Sequence, residues 1–164
     1  SRMLIACVLS AMTKTLHYPG ASSSAVLKNL SAHDRATQDW QKYLKHPNLT
    51  ICGAVYEKDY YKTLRKYRVQ LNIMRIHNLD SHNMRSIEVP GCGGIMLAPR
   101  TKDHEAFFKE GEEVFFYSNT SNLMEKVNKI MLLNENEIKI IRMAAQKKVL
   151  AHYTFLKLTE QFLQ

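Results

Sequence analysis

The densest polar stretch of the chain is Arg75-Ile76-His77-Asn78-Leu79-Asp80-Ser81-His82-Asn83-Met84-Arg85. It follows Val69–Met74 (VQLNIM), which reads as a strand, and leads into His82–Val89 (HNMRSIEV), which reads as a helix. Asp80 or Ser81 can cap that helix. The unpaired amides of its first turn would then point outward with partial positive charge, a natural seat for phosphate. Arg75 and Arg85 would add fixed charge with forked hydrogen-bond donors. Arg85 and Glu88 lie three apart and share a face, with Met84 and Ile87 toward the core. An arginine near the amino end and a glutamate near the carboxyl end oppose the helix dipole, so stability alone does not explain them. A carboxylate there can accept hydrogen bonds from the vicinal hydroxyls of a ribose. The plainer alternative, a solvated loop with capping residues and a surface ion pair, stays open.

Other groups carry weaker chemistry. Arg100-Thr101-Lys102-Asp103-His104-Glu105 follows the apolar run Ile95–Ala98 and can face the same cleft, or Thr101 or Asp103 can simply cap a helix. Pro90-Gly91-Cys92-Gly93-Gly94 fails the spacing of a phosphate loop and reads as a helix end built for close packing. No spacing supports Cys92 as a nucleophile with His82 or His104. His77, His82 and His104 form no metal-binding pattern, so no metal is expected. Lys62, Arg65, Lys66 and Arg68 form a local basic cluster that reads as a solvated helix end. No nucleic-acid partner is expected, because no recognition signature accompanies the charge.

Those residues need elements to hold them. The chain has 164 residues, 45% apolar and 23% charged, enough for one soluble domain. Only 6 Gly and 4 Pro favour helices joined by short connections. The net charge of +8 points to polyanionic partners, and three cysteines without CxxC spacing fit a reducing cytoplasm. Met3–Met12 is too short to cross a bilayer, which takes about 20 residues, and reads as a buried strand rather than an export signal. The serine start suggests a chain cut from something longer. Strands are expected at Met3–Leu9, Leu49–Cys52, Val69–Met74, Ile95–Ala98 and Val114–Tyr117, with helices at Glu57–Lys66, His82–Val89 and Lys102–Lys109. The last third reads as helices. Leu123, Met124, Val127, Ile130 and Met131 follow Thr120 and Ser121 as cap candidates. Asn134 and Glu137 have capping-box spacing, and Thr154 can cap a third helix with Phe155, Leu158 and Phe162 inward. The alternation implies an α/β fold, a parallel sheet with helices on both faces, with ligands beyond the carboxyl ends of the strands. Residues 13–47 carry little pattern.

With these residues in view, Val69–Tyr117 resembles the nucleotide-sugar domain of bacterial GT-B glycosyltransferases of the group 1 type, most closely those related to spore-maturation glycosyltransferases. The motifs are R-x-x-N-x-D-x-H-x-x-R at 75–85, E-x-P-x-C-G at 88–93, R-T-x-x-H at 100–104 and F-x-x-G-x-E at 108–113. The resemblance implies one half of a GT-B fold, a Rossmann-like sheet with a helical C-terminus, spanning 1–164 as a single sugar-donor domain with 1–45 matching poorly. Asp80 and Glu88 stand at the spacing of the E-x7-E pair of related retaining enzymes, whose second acid contacts the donor ribose. On this likeness Arg75 and Asp80 would be catalytic. Ser81, His82, Asn83, Met84, Arg85, Glu88, Arg100, Thr101 and His104 would bind the sugar donor. The substrate would be a nucleotide-diphosphate sugar, with no cofactor and no metal. The acceptor domain would be missing from this chain, and the protein would be cytoplasmic, with a peripheral contact at the inner face of the membrane. Two features depart from the pattern: no glycine turn follows Met3–Leu9, and no glycine-rich stretch precedes Trp40. They keep open an alternative, a non-catalytic Rossmann-like assembly domain docking on a partner or an anionic surface.

Overall fold

A computed structural model of the chain describes Val55, residues 57–74 and residues 80–163. The strands expected at Met3–Leu9 and Leu49–Cys52, residues 13–47 and Arg75 lie outside the described residues. Contacts group the chain into two units, Ser1–Val55 and Tyr56–Gln164, and the architecture below is that of the second by itself.

The elements run α1 (Glu57–Lys66), β1 (Gln70–Leu71), α2 (Arg85–Gly91), β2 (Met96–Pro99), α3 (Lys102–Phe107), β3 (Phe115–Tyr117), α4 (Thr120–Leu132), α5 (Glu135–His152) and α6 (Phe155–Phe162). The three strands form a parallel sheet in the order β1-β2-β3. Gln70 pairs with Met96 and Leu71 with Leu97; Leu97, Ala98 and Pro99 pair with Phe115, Phe116 and Tyr117. The Asn72 amide extends the first ladder by donating to the Leu97 carbonyl at 2.8 Å.

The central strand explains the layers. Ile95, Met96, Leu97 and Ala98 are all fully buried, as a parallel strand covered on both faces must be. Alternation sends Met96 and Ala98 into one layer with Leu64, Val89, Phe108, Val114, Phe116 and Val149. Ile95 and Leu97 enter the other layer, with Val69, Phe115, Val127, Ile130, Ile138 and Ile141. So α1, α2 and the end of α5 cover one face, while α4 and the start of α5 cover the other. Each such side chain contributes about 1.5–3 kcal/mol when fully buried. The expected α/β sheet with helices on both faces is what the described residues form.

The helix ends follow their sequences with two corrections. Asn134 and Glu137 form the full capping box of α5, and Thr154 caps α6. For α4, the cap is Asn119, whose side chain accepts from the Asn122 amide at 2.9 Å, rather than Thr120 or Ser121. On α6 the expected inward residues Phe155, Leu158 and Phe162 are 86%, 37% and 90% exposed. Their apolar side finds no layer to enter, because both sheet faces are already covered by other helices.

The glycine segment closes α2. Gly93 adopts φ +75°, the left-handed conformation that ends a helix. At Gly94 an added Cβ would lie 2.7 Å from Gln70 Oε1 and 3.1 Å from the Val89 carbonyl, so any larger residue would push the Gln70 side chain and the end of α2 aside. Arg65 Nε donates to the Cys92 carbonyl at 2.6 Å and Gln146 to the Gly91 carbonyl at 3.0 Å, satisfying that helix end.

Candidate functional site

Beyond the carboxyl ends of β1 and β2, four polar side chains sit where a core would normally be apolar. Asn72, Ser86, Thr101 and His104 are 1%, 0%, 3% and 0% exposed. Buried polar groups are costly unless paired, and here they are. The Asn72 and Asn83 amides pair reciprocally, Nδ2 to Oδ1 at 3.0 Å one way and 2.8 Å the other. Asn72 Nδ2 also reaches Ser86 Oγ at 3.2 Å, and Ser86 Oγ lies 2.7 Å from His104 Nε2. His104 Nδ1 lies 2.7 Å from the Pro99 carbonyl. Burial holds His104 below the ordinary histidine range, partly offset by that carbonyl. His104 is thus a neutral imidazole tying together the ends of β1 and β2 and the starts of α2 and α3.

The first turn of α3 fastens the loop ahead of α2. Thr101 caps α3 by accepting from the His104 amide at 3.1 Å. The next two residues reach across: Lys102 pairs with Asp80 at 3.0 Å, and Asp103 with His82 Nδ1 at 2.7 Å. The His82 ring stands edge-on to Phe107, centroids 4.8 Å apart. Thr101 thus caps a helix, and the segments at 80–88 and 100–105, separate in sequence, meet through these two pairs.

Individual placements differ from the expectation in several ways. Asn83, rather than Asp80 or Ser81, steadies the start of α2, its Oδ1 accepting from the Ser86 amide at 3.2 Å. α2 buries Ser86, Val89 and Pro90, while Met84 is 71% exposed and Ile87 half-buried. The core face is thus rotated from the expected Met84 and Ile87, because Ser86 is drawn inward by His104. The Met84 and Arg85 amides have no acceptor among the described residues. Arg85 is half-buried and forms no ion pair among the described residues, with Glu88 or otherwise. Glu88 instead accepts from the Tyr60 hydroxyl of α1 at 3.1 Å. Burial first, and the Glu88 carboxylate second, push the Tyr60 hydroxyl up to about 12. Ser81 is half-buried at the loop, bonded only weakly to the His82 carbonyl at 3.5 Å.

Arg100 stands apart from the cluster. Its guanidinium is taken by Glu105 and Glu110 and lies 5.6 Å from the Phe116 ring centroid. Lys126 adds to this group at 2.6 Å from Glu110. Burial alone would raise the Glu110 carboxyl, but the hydrogen bonds from Lys126 and Arg100 hold it below the usual range. Arg100, expected to bind the donor, is held by these two carboxylates, which tie the end of β2 to α3 and, through Lys126, to α4.

The sequence reading passed over Asn72, Ser86 and Tyr60. The signal for the first was present: Asn72 is the polar residue at an inward register of VQLNIM, at the strand end. A pocket of about 320 Å³ lies elsewhere, at the carboxyl end of α2, lined by Tyr61, Lys62, Arg65, Gly91, Cys92 and Gln146. Burial pushes the Cys92 thiol up, which opposes nucleophilic use. Among the described residues no cluster of three metal-ligating side chains forms.

Comparison with known proteins follows the same line. Solved structures of similar fold include a glycosyltransferase from Rickettsia africae, at 13% identity and TM-score 0.63, covering 79% of this chain and 34% of that one. Anabaena Alr3699/HepE, solved in complex with UDP-glucose, matches at 13% identity and TM-score 0.59, covering 78% and 34%. Sucrose-phosphate synthase from Thermosynechococcus elongatus matches at 14% and 0.63, covering 88% and 34%. The chain thus spans about a third of the length of each, and the likeness shows the fold, the Rossmann-like half of a GT-B architecture. No curated protein matches the chain significantly. The family model described as glycosyl transferase-like matches residues 9–164, nearly the whole sequence. The chain belongs to the glycosyl transferase-like family.

Proposed function

We propose that the chain is the sugar-donor half of a metal-independent GT-B glycosyltransferase. It binds a nucleoside-diphosphate sugar at the carboxyl edge of the sheet, and the sugar passes to an acceptor held by a second domain. One observation carries the reading: the turn at 80–85 rests on a buried hydrogen-bonded base and offers, among the described residues, two amides without an acceptor beside Arg85, with Glu88 three residues on. The diphosphate sits against Arg85 and the Met84 and Arg85 amides, where negative charge grows as the sugar leaves. Glu88 accepts from the ribose hydroxyls through the oxygen that Tyr60 leaves open. Asp80 faces the sugar, Ser81, His82 and Asn83 line the turn, and Thr101 and His104 support it from behind; Arg75, outside the described residues, is assigned to the sugar by the family likeness alone. The UDP-glucose held by the Anabaena protein of similar fold supports this choice of ligand.

Among the described residues no helix is long and apolar enough to cross a membrane. The +8 charge supports a peripheral contact with an anionic cytoplasmic membrane face. The proposal is tested by calorimetric titration with uridine, guanosine, cytidine and adenosine diphosphates in the presence of a chelator. One of them binds saturably, and Glu88→Gln weakens it about tenfold, the loss of a charge-assisted hydrogen bond. The matching 2′-deoxy diphosphate shows a similar loss. If the folded chain binds none of the four, the proposal fails.

A further inference from the structure

We infer that Asn72 and Ser86 are positioning residues for the sugar-donor turn, acting through Asn83 and held in one hydrogen-bonding sense by His104. The inference rests on the sugar-donor reading for its ligand, but its hydrogen-bond logic is independent of it. The Pro99 carbonyl can only accept, so His104 Nδ1 carries the ring hydrogen and donates at 2.7 Å. Nε2 of the neutral ring is then an acceptor, and the Ser86 hydroxyl must donate to it at 2.7 Å. With its hydrogen committed, Ser86 Oγ receives Asn72 Nδ2 at 3.2 Å and the Asn83 amide at 3.2 Å. That fixes which way the Asn72 amide faces, and its Oδ1 must receive Asn83 Nδ2 at 2.8 Å. Asn83 Oδ1 is left toward the Ser86 amide at 3.2 Å, setting the start of α2. Each link admits one orientation only because the link before it does.

The chain has a single point where it can be reversed. A proton on His104 Nε2 removes that acceptor, and the Ser86 hydroxyl must turn to Asn83 Oδ1, 3.4 Å away, where it competes with Asn72 Nδ2 and the Ser86 amide for one oxygen. The groups facing the ring are few. Asp103 lies on its own helix and His82 on the loop. Ser86 comes from α2, and Pro99 supplies its carbonyl. Phe116 of β3 stacks at 5.9 Å. Asp103 is already paired with His82, so no carboxylate stands free there to hold a protonated ring. Acid should therefore loosen the turn and weaken the ligand together.

Two arms test this on the full chain. In the first, affinities for uridine and guanosine diphosphates are measured between about pH 5 and 8. Wild-type affinity holds near neutral pH and falls as acidification approaches the folded His104 pKa, which burial holds below the ordinary histidine value. His104→Gln, whose side-chain oxygen stays an acceptor near Nε2 and takes up no proton, gives a shallower fall that retains only the part due to the ligand's own terminal phosphate, which titrates at about pH 6, while His82→Gln keeps the wild-type slope. In the second arm, amide exchange is followed without ligand, with thermal melts confirming the fold. Ser86→Ala and Asn72→Ser speed exchange about tenfold at the Asn83 and residue-86 amides, which are bonded in wild type, and leave α5 as in wild type. Exchange unchanged by both variants, or a pH profile flattened by His82→Gln rather than His104→Gln, overturns the inference. If wild type binds neither, the pH arm is run with the cytidine and adenosine diphosphates; if it binds none of the four, the ligand reading fails, and the exchange arm still decides the hydrogen-bond chain.

Discussion

Glu88 is the acid placed for a ribose, and Tyr60 donates to one of its two oxygens. That bond orders the carboxylate without using it up. Tyr60→Phe should lower stability by about 0.5–1.5 kcal/mol, the net worth of one hydrogen bond, measured as a shift in the denaturant midpoint. It should also weaken nucleoside-diphosphate binding less than Glu88→Gln does, because the carboxylate remains. His104 makes a second residue-scale prediction. Its folded-state pKa lies below the ordinary 6.5, with burial as the main cause. Below that value the unfolded chain takes up a proton that the folded ring resists, so stability present above pH 6.5 is lost as pH falls toward the folded pKa. Denaturation midpoints at pH 7.5 and 5.5 should therefore differ more in wild type than in His104→Gln; equal differences would contradict the assignment.

At the scale of elements, the caps and the glycine turn carry stability that single substitutions can read. Asn134 accepts from two amides and takes part in the reciprocal box with Glu137, so Asn134→Ala should cost about 1 kcal/mol by thermal or urea melt. Gly94→Ala should cost more, because backbone and Gln70 stand within contact distance of any Cβ. Gly111, at φ +81°, has nothing near it, and alanine there should cost only the left-handed conformational penalty of about 1–2 kcal/mol. The bounds of α1, the apolar strand IMLA and the capping box were legible because each is fixed by neighbours in sequence. The facing of α2 was not. Seven residues make barely two turns, too few for periodicity to outvote one buried serine. The partners that decided it, Asn72 and His104, lie 14 and 18 residues from Ser86. The Arg100 pairing was hidden for the same reason: Glu110, which helps neutralise it, lies ten residues away beyond α3.

At the scale of the molecule, the order of strands and helices was readable, since a parallel sheet buried on both faces writes nearly unbroken apolar strands into the sequence. The outward face of α6 was not, since amphipathic period says that a side is apolar without saying what covers it. The motif spacing shared with the family located the carboxyl edge of the sheet before any coordinates did. What the sequence did not contain was the buried polar base beneath that edge, which is a property of packing among four elements. The central claim is that the turn at 80–88 receives a nucleoside diphosphate. Amide hydrogen exchange with and without saturating nucleoside diphosphate tests it most directly. The account predicts protection of Met84, Arg85 and their neighbours through Glu88, with α4 and α6 unchanged. Protection confined to the pocket of Tyr61, Arg65 and Gln146, or none at 80–88 while ligand is bound, would contradict it.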